Sequence, residues 1–473
     1  MAKANNIWKN IDWVTVIIYA VLVLLGWMNI YAAVYNEEHR YIFDMSRQYG
    51  KQLIWIVAAV LIAVSVMNVD SKFFTSFAYV FYGVTILLLM AVLVLGKKVN
   101  GARSWFEIGD FRLQPSEFAK YATVLAVSQY IGSMGFNLKK RSSILKLTMI
   151  LAIPAILILL QPDAGSALVY GILILVLFRE GMSGVILFFG FLIALLFILA
   201  LVLSKLTLLI VMVLMCFVAY AMLRQRFIEA LKGLGMITGL TLLLMGVEAI
   251  SHIGLEPWLC LLGSSIFFGT LFFLFAYRDK IIHVSLIIWI FFGSILFTST
   301  VDYSFHHFLE AHQQNRINDL LGISSDPLGA GWNVHQSMIA IGSGGFFGKG
   351  FLQGTQTKFD FVPEQSTDFI FCTVGEEWGF VGALVIISLF IFLLLRLLRM
   401  ADRQHSTFSR VYGYGTACIL FFHFAVNIAM TIKLAPVIGI PLPFFSYGGS
   451  SLWSFTLLLF TFIRLDANRL ERF

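Results

Sequence analysis

Apolar stretches of about 17 to 25 residues recur from Trp13 almost to the end of the chain, each able to cross a hydrocarbon core of about 30 Å as a helix. No other feature constrains the fold as tightly, because backbone inside a bilayer must satisfy its own hydrogen bonds and a helix does so within one segment. Of the 473 residues, 59% are hydrophobic and 12% are charged, where an ordinary soluble domain carries roughly 25% charged residues. The expected class is an all-α polytopic membrane protein, a single integral membrane domain over residues 1–473. The first stretch, Trp13 to Val34, is too long and too weakly flanked by small residues for a cleaved signal peptide, and reads as a retained first helix. Cys216, Cys260, Cys372 and Cys418 lie singly in apolar stretches without CxxC spacing, which suits small core residues and no metal site.

Fourteen spans are expected, at about 12–34, 52–68, 74–96, 117–133, 146–161, 165–179, 183–203, 206–223, 234–251, 257–276, 281–300, 368–397, 411–431 and 450–464. An even number puts both termini on one side. One set of loops holds Lys139, Lys140, Arg141 and Lys146, then Arg224, Arg226 and Lys232, then Arg278 and Lys280, then Arg396, Arg399, Arg403 and Arg410, with Arg464, Arg469 and Arg472 at the end. Cations collect on the cytoplasmic side of membrane proteins, so both termini are expected to be cytoplasmic. The net charge of +7 reports this asymmetry and does not call for nucleic acid.

This topology sends segments 35–51, 97–116, 161–164, 301–367 and 432–449 to the outer face. With them go the carboxylates Glu107, Asp110, Glu117, Asp163, Asp326, Asp360, Glu364, Asp368, Glu376 and Glu377, and the cations Arg47, Lys51, Arg103, Arg112, Lys120 and Lys349. Ionisable groups at or just below a membrane surface are costly unless paired or wetted, which points to a functional cavity. In QPSEFAK (114–120), Pro115 suits a first helical turn, Ser116 and Glu117 can serve free N–H groups, and Glu117 and Lys120 share a helical face. That pair either only caps the helix or also lines the cavity. GARSWFEIGDFR (101–112) reads as an amphipathic interfacial segment. Asp163 in QPDAGS, between two apolar spans, asks for a partner. Three prolines in PVIGIPLPFFSYGGSS (436–451) disfavour helix, and such backbone is tolerated at membrane depth only where protein buries it or it lines a wet cavity.

The 301–367 loop is the longest, and its composition does not suit disorder. Within it GWNVHQSMIAIGSGG (331–345) can form a short helix ended by glycines. GKGFLQGTQT (348–357) offers glycines, a lysine and hydroxyls that suit a phosphate or a sugar, although it is no Walker loop. His306, His307 and His312 lack metal-ligand spacing and read as solvated or interfacial.

DPLGAG, QSMIAIGSGGFFGKG, GTQT, FVPEQSTDFIF and GEEWGFVG, in this order, resemble the signature of the SEDS family of bacterial cell-wall polymerases, in wording closer to its elongation-type than its division-type members. The likeness extends to GARSWFEIGDFRLQPSEFAK, QPDAGSAL, VNIAM (426–430) and PLPFFSYGGSS. It implies a SEDS-type helical bundle of about ten core transmembrane helices, here with about four inserted near 206–280, and a large extracytoplasmic catalytic loop at 301–367. The implied activity is a peptidoglycan glycosyltransferase that polymerises lipid II into β-1,4 glycan at the outer face of the bacterial cytoplasmic membrane during elongation. The implied partners are a class B penicillin-binding transpeptidase and other elongation-complex membrane proteins. Asp326 matches the family's essential loop aspartate, with the implied role of general base. Glu117, Lys120 and Asp163 match polar positions of the family's cavity. Arg47, Arg103, Gln336, Ser337, Lys349, Gln356, Glu364, Thr367, Asp368 and Ser446 complete the expected substrate-binding set. No cofactor is required by the resemblance; a divalent cation, Mg²⁺ or Mn²⁺, is the one candidate, to assist pyrophosphate departure. Ser366 stands where the family commonly has histidine before TDF, which removes a histidine base there and favours the carboxylate. A lipid II transporter and a pure scaffold are the rival functions. Ionisable groups sparse at midplane argue against the first, and the polar loop argues against the second.

Overall fold

The computed structural model describes residues 7–35, 41–99, 102–109, 111–252, 254–278, 281–307, 314, 318, 331–358 and 361–469. Two compact units emerge, one from residues 1–184 and 326–473, the other from 185–325. All fourteen expected spans are helical, and among the described residues eleven helices are long and apolar enough to cross a membrane. The other three are Pro115–Ile131, the broken helix Ala164–Arg179 and the more polar Gly449–Ala467.

In the first unit, a capping aspartate starts three of the described helices. Asp12 accepts from Thr15 N at 3.1 Å ahead of Trp13–Ala33, Asp70 from Lys72 N at 3.1 Å ahead of Ser71–Leu95, and Asp163 from Ser166 N at 3.0 Å. Trp13–Ala33 packs on Ile370–Asp402, Ser71–Leu95 on Pro115–Ile131, Gln48–Asn68 on Gly449–Ala467, and Thr407–Thr431 on Ile370–Asp402 and Pro115–Ile131. Leu22, Ile30, Tyr49, Leu125, Phe390, Tyr412, Phe455 and Phe462 are fully buried among them. Large apolar side chains such as Leu61, Leu87 and Val94 stay exposed, as lipid-facing residues do.

Three features differ from the sequence expectations. The 101–112 segment, read as amphipathic and interfacial without a secondary structure, is stranded: Lys97–Val99, Ala102–Ile108 and Phe111–Leu113 form a small antiparallel sheet, with Glu107 opposite Arg112 and Ile108 opposite Phe111. Gly109, at φ +61°, supplies the tight turn between the last two strands. The Ile282–His307 helix carries residues 301–307, so the long loop starts later than 301. Ile370–Asp402 is broken at Gly379 (φ 64°, ψ −158°), so the span near 368–397 is two helical pieces.

The second unit holds Gly184–Val202, Lys205–Arg224, Phe227–Ser251, Pro257–Arg278 and Ile282–His307 around Leu196, Leu208, Val213, Ile237, Leu261 and Phe291. It starts before and ends after the expected insert at 206–280. Lys205 pairs with Asp302 at 3.1 Å within it.

Candidate active site

The polar residues of the first unit converge where its irregular segment, residues 432–448, folds back among helix ends. Burial leaves that segment's backbone dependent on partners, and the helix ends provide them. Asn427 Nδ2 donates to the carbonyls of Asp368 and Ile440, both at 2.8 Å. Ser446 Oγ donates to Thr367 O at 2.6 Å and accepts from Leu442 N at 2.9 Å, while Tyr447 N donates to Ser366 O at 2.9 Å. Gly448 N donates to Gln52 Oε1 at 3.2 Å. A Cβ on Gly165 would lie 2.1 Å from Ile438 O, which accounts for the glycine of QPDAGS. The same end holds Ser337, whose hydroxyl donates to Thr431 O at 3.0 Å, and Gln365, which donates to Ala33 O at 2.6 Å.

Beneath this segment lies a buried charge cluster. Lys120 Nζ donates to Glu117 Oε1 at 2.8 Å, with both side chains at most 3% exposed. It also reaches His423 Nε2 at 2.9 Å and sits 5.1 Å from the Phe455 ring centre. An ammonium only donates, so Nε2 accepts and Nδ1–H donates to Pro441 O at 3.2 Å. The chain Glu117–Lys120–His423–Pro441 thereby ties the Pro115–Ile131 and Thr407–Thr431 helices to the irregular segment. Glu117 Oε2 has no hydrogen-bond partner among the described residues, an acceptor that a polar headgroup could use. Glu117 pairs with Lys120, and no side chain caps the helix at Gln114; Ser116 Oγ is buried without a partner among the described residues. Asp163 finds its partner in Gln114 Nε2 at 3.1 Å.

A second cluster explains GTQT. Glu376, with no exposed surface, accepts from Lys349 Nζ (2.7 Å), from the backbone N–H groups of Thr355 (2.7 Å), Gln356 (2.9 Å) and Thr357 (3.0 Å), and from Thr357 Oγ1 (2.9 Å). Donors that suit a phosphate in the sequence are here satisfied by a carboxylate of the protein itself. The glycines around it allow backbone to touch backbone: Lys349 N donates to Glu376 O, Gly350 N to Glu377 O and Phe380 N to Gly345 O, each at 3.0 Å. A Cβ on Gly379 would lie 2.2 Å from Gly348 N.

Asp326, the expected base, lies outside the described residues, as do Asp110, His312 and Asp360. Glu117 and Lys120 are in direct contact, and Asp163, Thr367, Asp368 and Ser446 gather around the 432–448 segment. Glu364, exposed and at φ 55°, accepts from Thr367 Oγ1 at 2.9 Å. Gln336 is buried beside Ser337, Lys349 and Gln356 belong to the Glu376 cluster, Arg47 is half-buried at the start of Gln48–Asn68, and Arg103 is exposed on its strand. Sequence reasoning missed His423, Gln52 and Asn427 and did not see the role of Glu376. The partners of His423 and Gln52 are hundreds of residues away, beyond any local pattern. Among the described residues no group of three or more His, Cys, Asp or Glu side chains could hold a metal ion.

A profile of the FtsW/RodA/SpoVE family, described as cell cycle protein, matches residues 12–211 and 212–470. The peptidoglycan glycosyltransferase RodA of Treponema pallidum (strain Nichols) is 33% identical over 467 residues, covering 98% of this chain and 99% of that one. The peptidoglycan glycosyltransferase MrdB of Escherichia coli (strain K12) is 29% identical over 434 residues, covering 91% and 88%. Among solved structures, a chain of a peptidoglycan synthase complex that coordinates polymerization and crosslinking aligns with TM-score 0.59 at 24% identity over 98% of this chain and 99% of that one. The rod shape determining protein RodA of Thermus thermophilus aligns with TM-score 0.53 at 22% identity over 98% of each. These structures share the fold, and the chain belongs to the FtsW/RodA/SpoVE family.

Proposed function

We propose that the chain is a peptidoglycan glycosyltransferase of the elongation type, polymerising lipid II into β-1,4 glycan strands. Its end-to-end match to a relative of that name carries the reading. The convergence of Glu117, Lys120, Asp163, Thr367, Asp368 and Ser446 at one end of the first unit supports it, because a lipid-linked sugar pyrophosphate needs a polar pocket reachable from the membrane surface. In this reading Asp326 takes the proton of the acceptor sugar's 4-hydroxyl as that oxygen attacks the donor anomeric carbon with inversion. The C–O bond to undecaprenyl pyrophosphate breaks, the lipid pyrophosphate leaves as the anion, and Asp326 returns the proton to water. The expected set from Arg47 to Ser446 positions the two headgroups, with Lys349 and Gln356 holding the wall beside Glu376. The protein is placed in the cytoplasmic membrane with both termini cytoplasmic and this end extracytoplasmic, working with a class B penicillin-binding transpeptidase. A transporter reading is not favoured by relatives that carry a transferase name.

The experiment is lipid II polymerisation by the purified chain with its transpeptidase partner. Asp326→Ala abolishes polymer while thermal stability and partner binding are retained. Full polymerisation by that variant removes Asp326 from the role of base.

A further inference from the structure

The second unit encloses a cavity of about 340 Å³, within the roughly 300–1,000 Å³ range of ligand pockets. Four of the unit's helices, Lys205–Arg224, Phe227–Ser251, Pro257–Arg278 and Ile282–His307, contribute walls, with Phe217, Phe272 and Phe291 making much of the lining apolar. From Ser265 at the deep end to Ala276 near the mouth, the wall runs about 16 Å along one helix. A slot of that length, apolar and narrow, suits a hydrocarbon chain.

The charged residues of the lining collect at one end. Tyr220, Glu229 and Lys232 line the mouth. Glu229 is already engaged, by Arg226 Nη1 at 2.7 Å and Tyr220 OH at 2.8 Å. Lys232 is exposed and makes no ion pair among the described residues. Arg224, close enough to Glu229 to act on it, keeps a buried Nε with no partner among the described residues. Arg278 lies 5.4 Å over the ring of Phe275, which lines the cavity. Deeper in, Ser265 is fully buried, its hydroxyl without a partner among the described residues. Lys232 at the mouth, with Arg224 and Arg226 acting on the Glu229 that lines it, is complementary to a phosphate on a greasy tail, and basic pockets between membrane helices bind anionic lipid headgroups.

We propose that this cavity binds an anionic glycerophospholipid from the surrounding bilayer, one acyl chain lying between the helices and the phosphate held by Lys232 and Arg224. The site is separate from the polar convergence of the first unit and does not depend on the glycosyltransferase reading.

Native mass spectrometry of the detergent-purified full chain tests it, with phosphatidylglycerol and phosphatidylcholine of identical acyl chains as probes. Phosphatidylglycerol is expected to be retained several-fold more strongly, and Lys232→Gln, at an exposed position, to lower its retention about fivefold. Ser265→Leu, which fills the slot, is expected to remove the adduct. Equal retention of the two lipids, or unchanged phosphatidylglycerol binding by Lys232→Gln, overturns the proposal. Displacement of phosphatidylglycerol by polyprenyl phosphate at equal concentration overturns the assigned occupant.

Discussion

Replacing Glu376 by glutamine keeps the shape of the side chain and removes its charge, and the structure gives the size of the effect. Oε1 accepts from Lys349 Nζ and from the backbone of Thr355 and Gln356, and Oε2 from the backbone and hydroxyl of Thr357. An amide nitrogen in either place faces donors, so at least two lose their acceptor. Hydrogen bonds to a charged group contribute about 1.5–3 kcal/mol each, so the turn loses about 3 kcal/mol, in line with about 3–5 kcal/mol for breaking a buried pair. That is roughly 100-fold in the local opening equilibrium, since about 1.4 kcal/mol is tenfold. Hydrogen exchange of the purified protein reads this directly at the amides of residues 355–357. Lys349→Met is milder, at about 1–2 kcal/mol, because Lys349 is 26% exposed and Glu376 keeps its backbone donors. The double variant costs less than the sum, as partners in one network do. Protection within twofold of wild type in Glu376→Gln, together with a selective loss of polymerisation, refutes the reasoning: the donors of GTQT would then face substrate.

Gly379→Ala places a Cβ 2.2 Å from Gly348 N at φ +64° and is expected to cost about 3 kcal/mol or more by strain and clash, read as a lowered melting temperature in detergent. Gly83→Ala, with open space around it in Ser71–Leu95, is neutral or stabilising by up to about 1 kcal/mol. Lys120→Met strands Glu117 and costs about 3–5 kcal/mol, and adding Glu117→Gln recovers most of it; thermal unfolding of the three variants checks the coupling. Burial of Asp12 opposes its ionisation, yet the Arg396 guanidinium at 2.8 Å and Thr15 N–H hold its carboxyl below the ordinary value. A lowered folded pKa means stability that is present above the unfolded value of about 3.9 and lost as pH falls through the folded one. Melting temperature between pH 5 and pH 3 therefore falls more steeply in wild type than in Asp12→Asn, and equal slopes contradict the assignment.

The helices were legible because lipid imposes length and apolarity on any span, and those are local properties. The hairpin at residues 102–113 was not, because its strands are short and its turn hides inside a segment whose aromatics also suit an interface. QPSEFAK disclosed its ion pair through helical spacing, but nothing near Lys120 in the sequence points to His423, more than 300 residues on. GTQT was legible as a set of donors, but the carboxylate that accepts from them was not, because Glu376 lies about 20 residues downstream on another element. Several arginines counted as topology signals also have structural work: Arg396 binds Asp12, Arg403 binds Asp466, and Arg410 binds Glu180 at 2.8 Å. The assignment of Asp326 rests on family resemblance alone, since an Asp-Pro pair by itself suits a turn equally well.

The central claim is that this end of the molecule makes glycan and does not merely pass its substrate across. Liposomes containing the purified protein, its transpeptidase partner and labelled lipid II separate the two in one preparation. The account predicts glycan polymer with wild type, none with Asp326→Ala, and no headgroup crossing with either; headgroup crossing without polymer contradicts it.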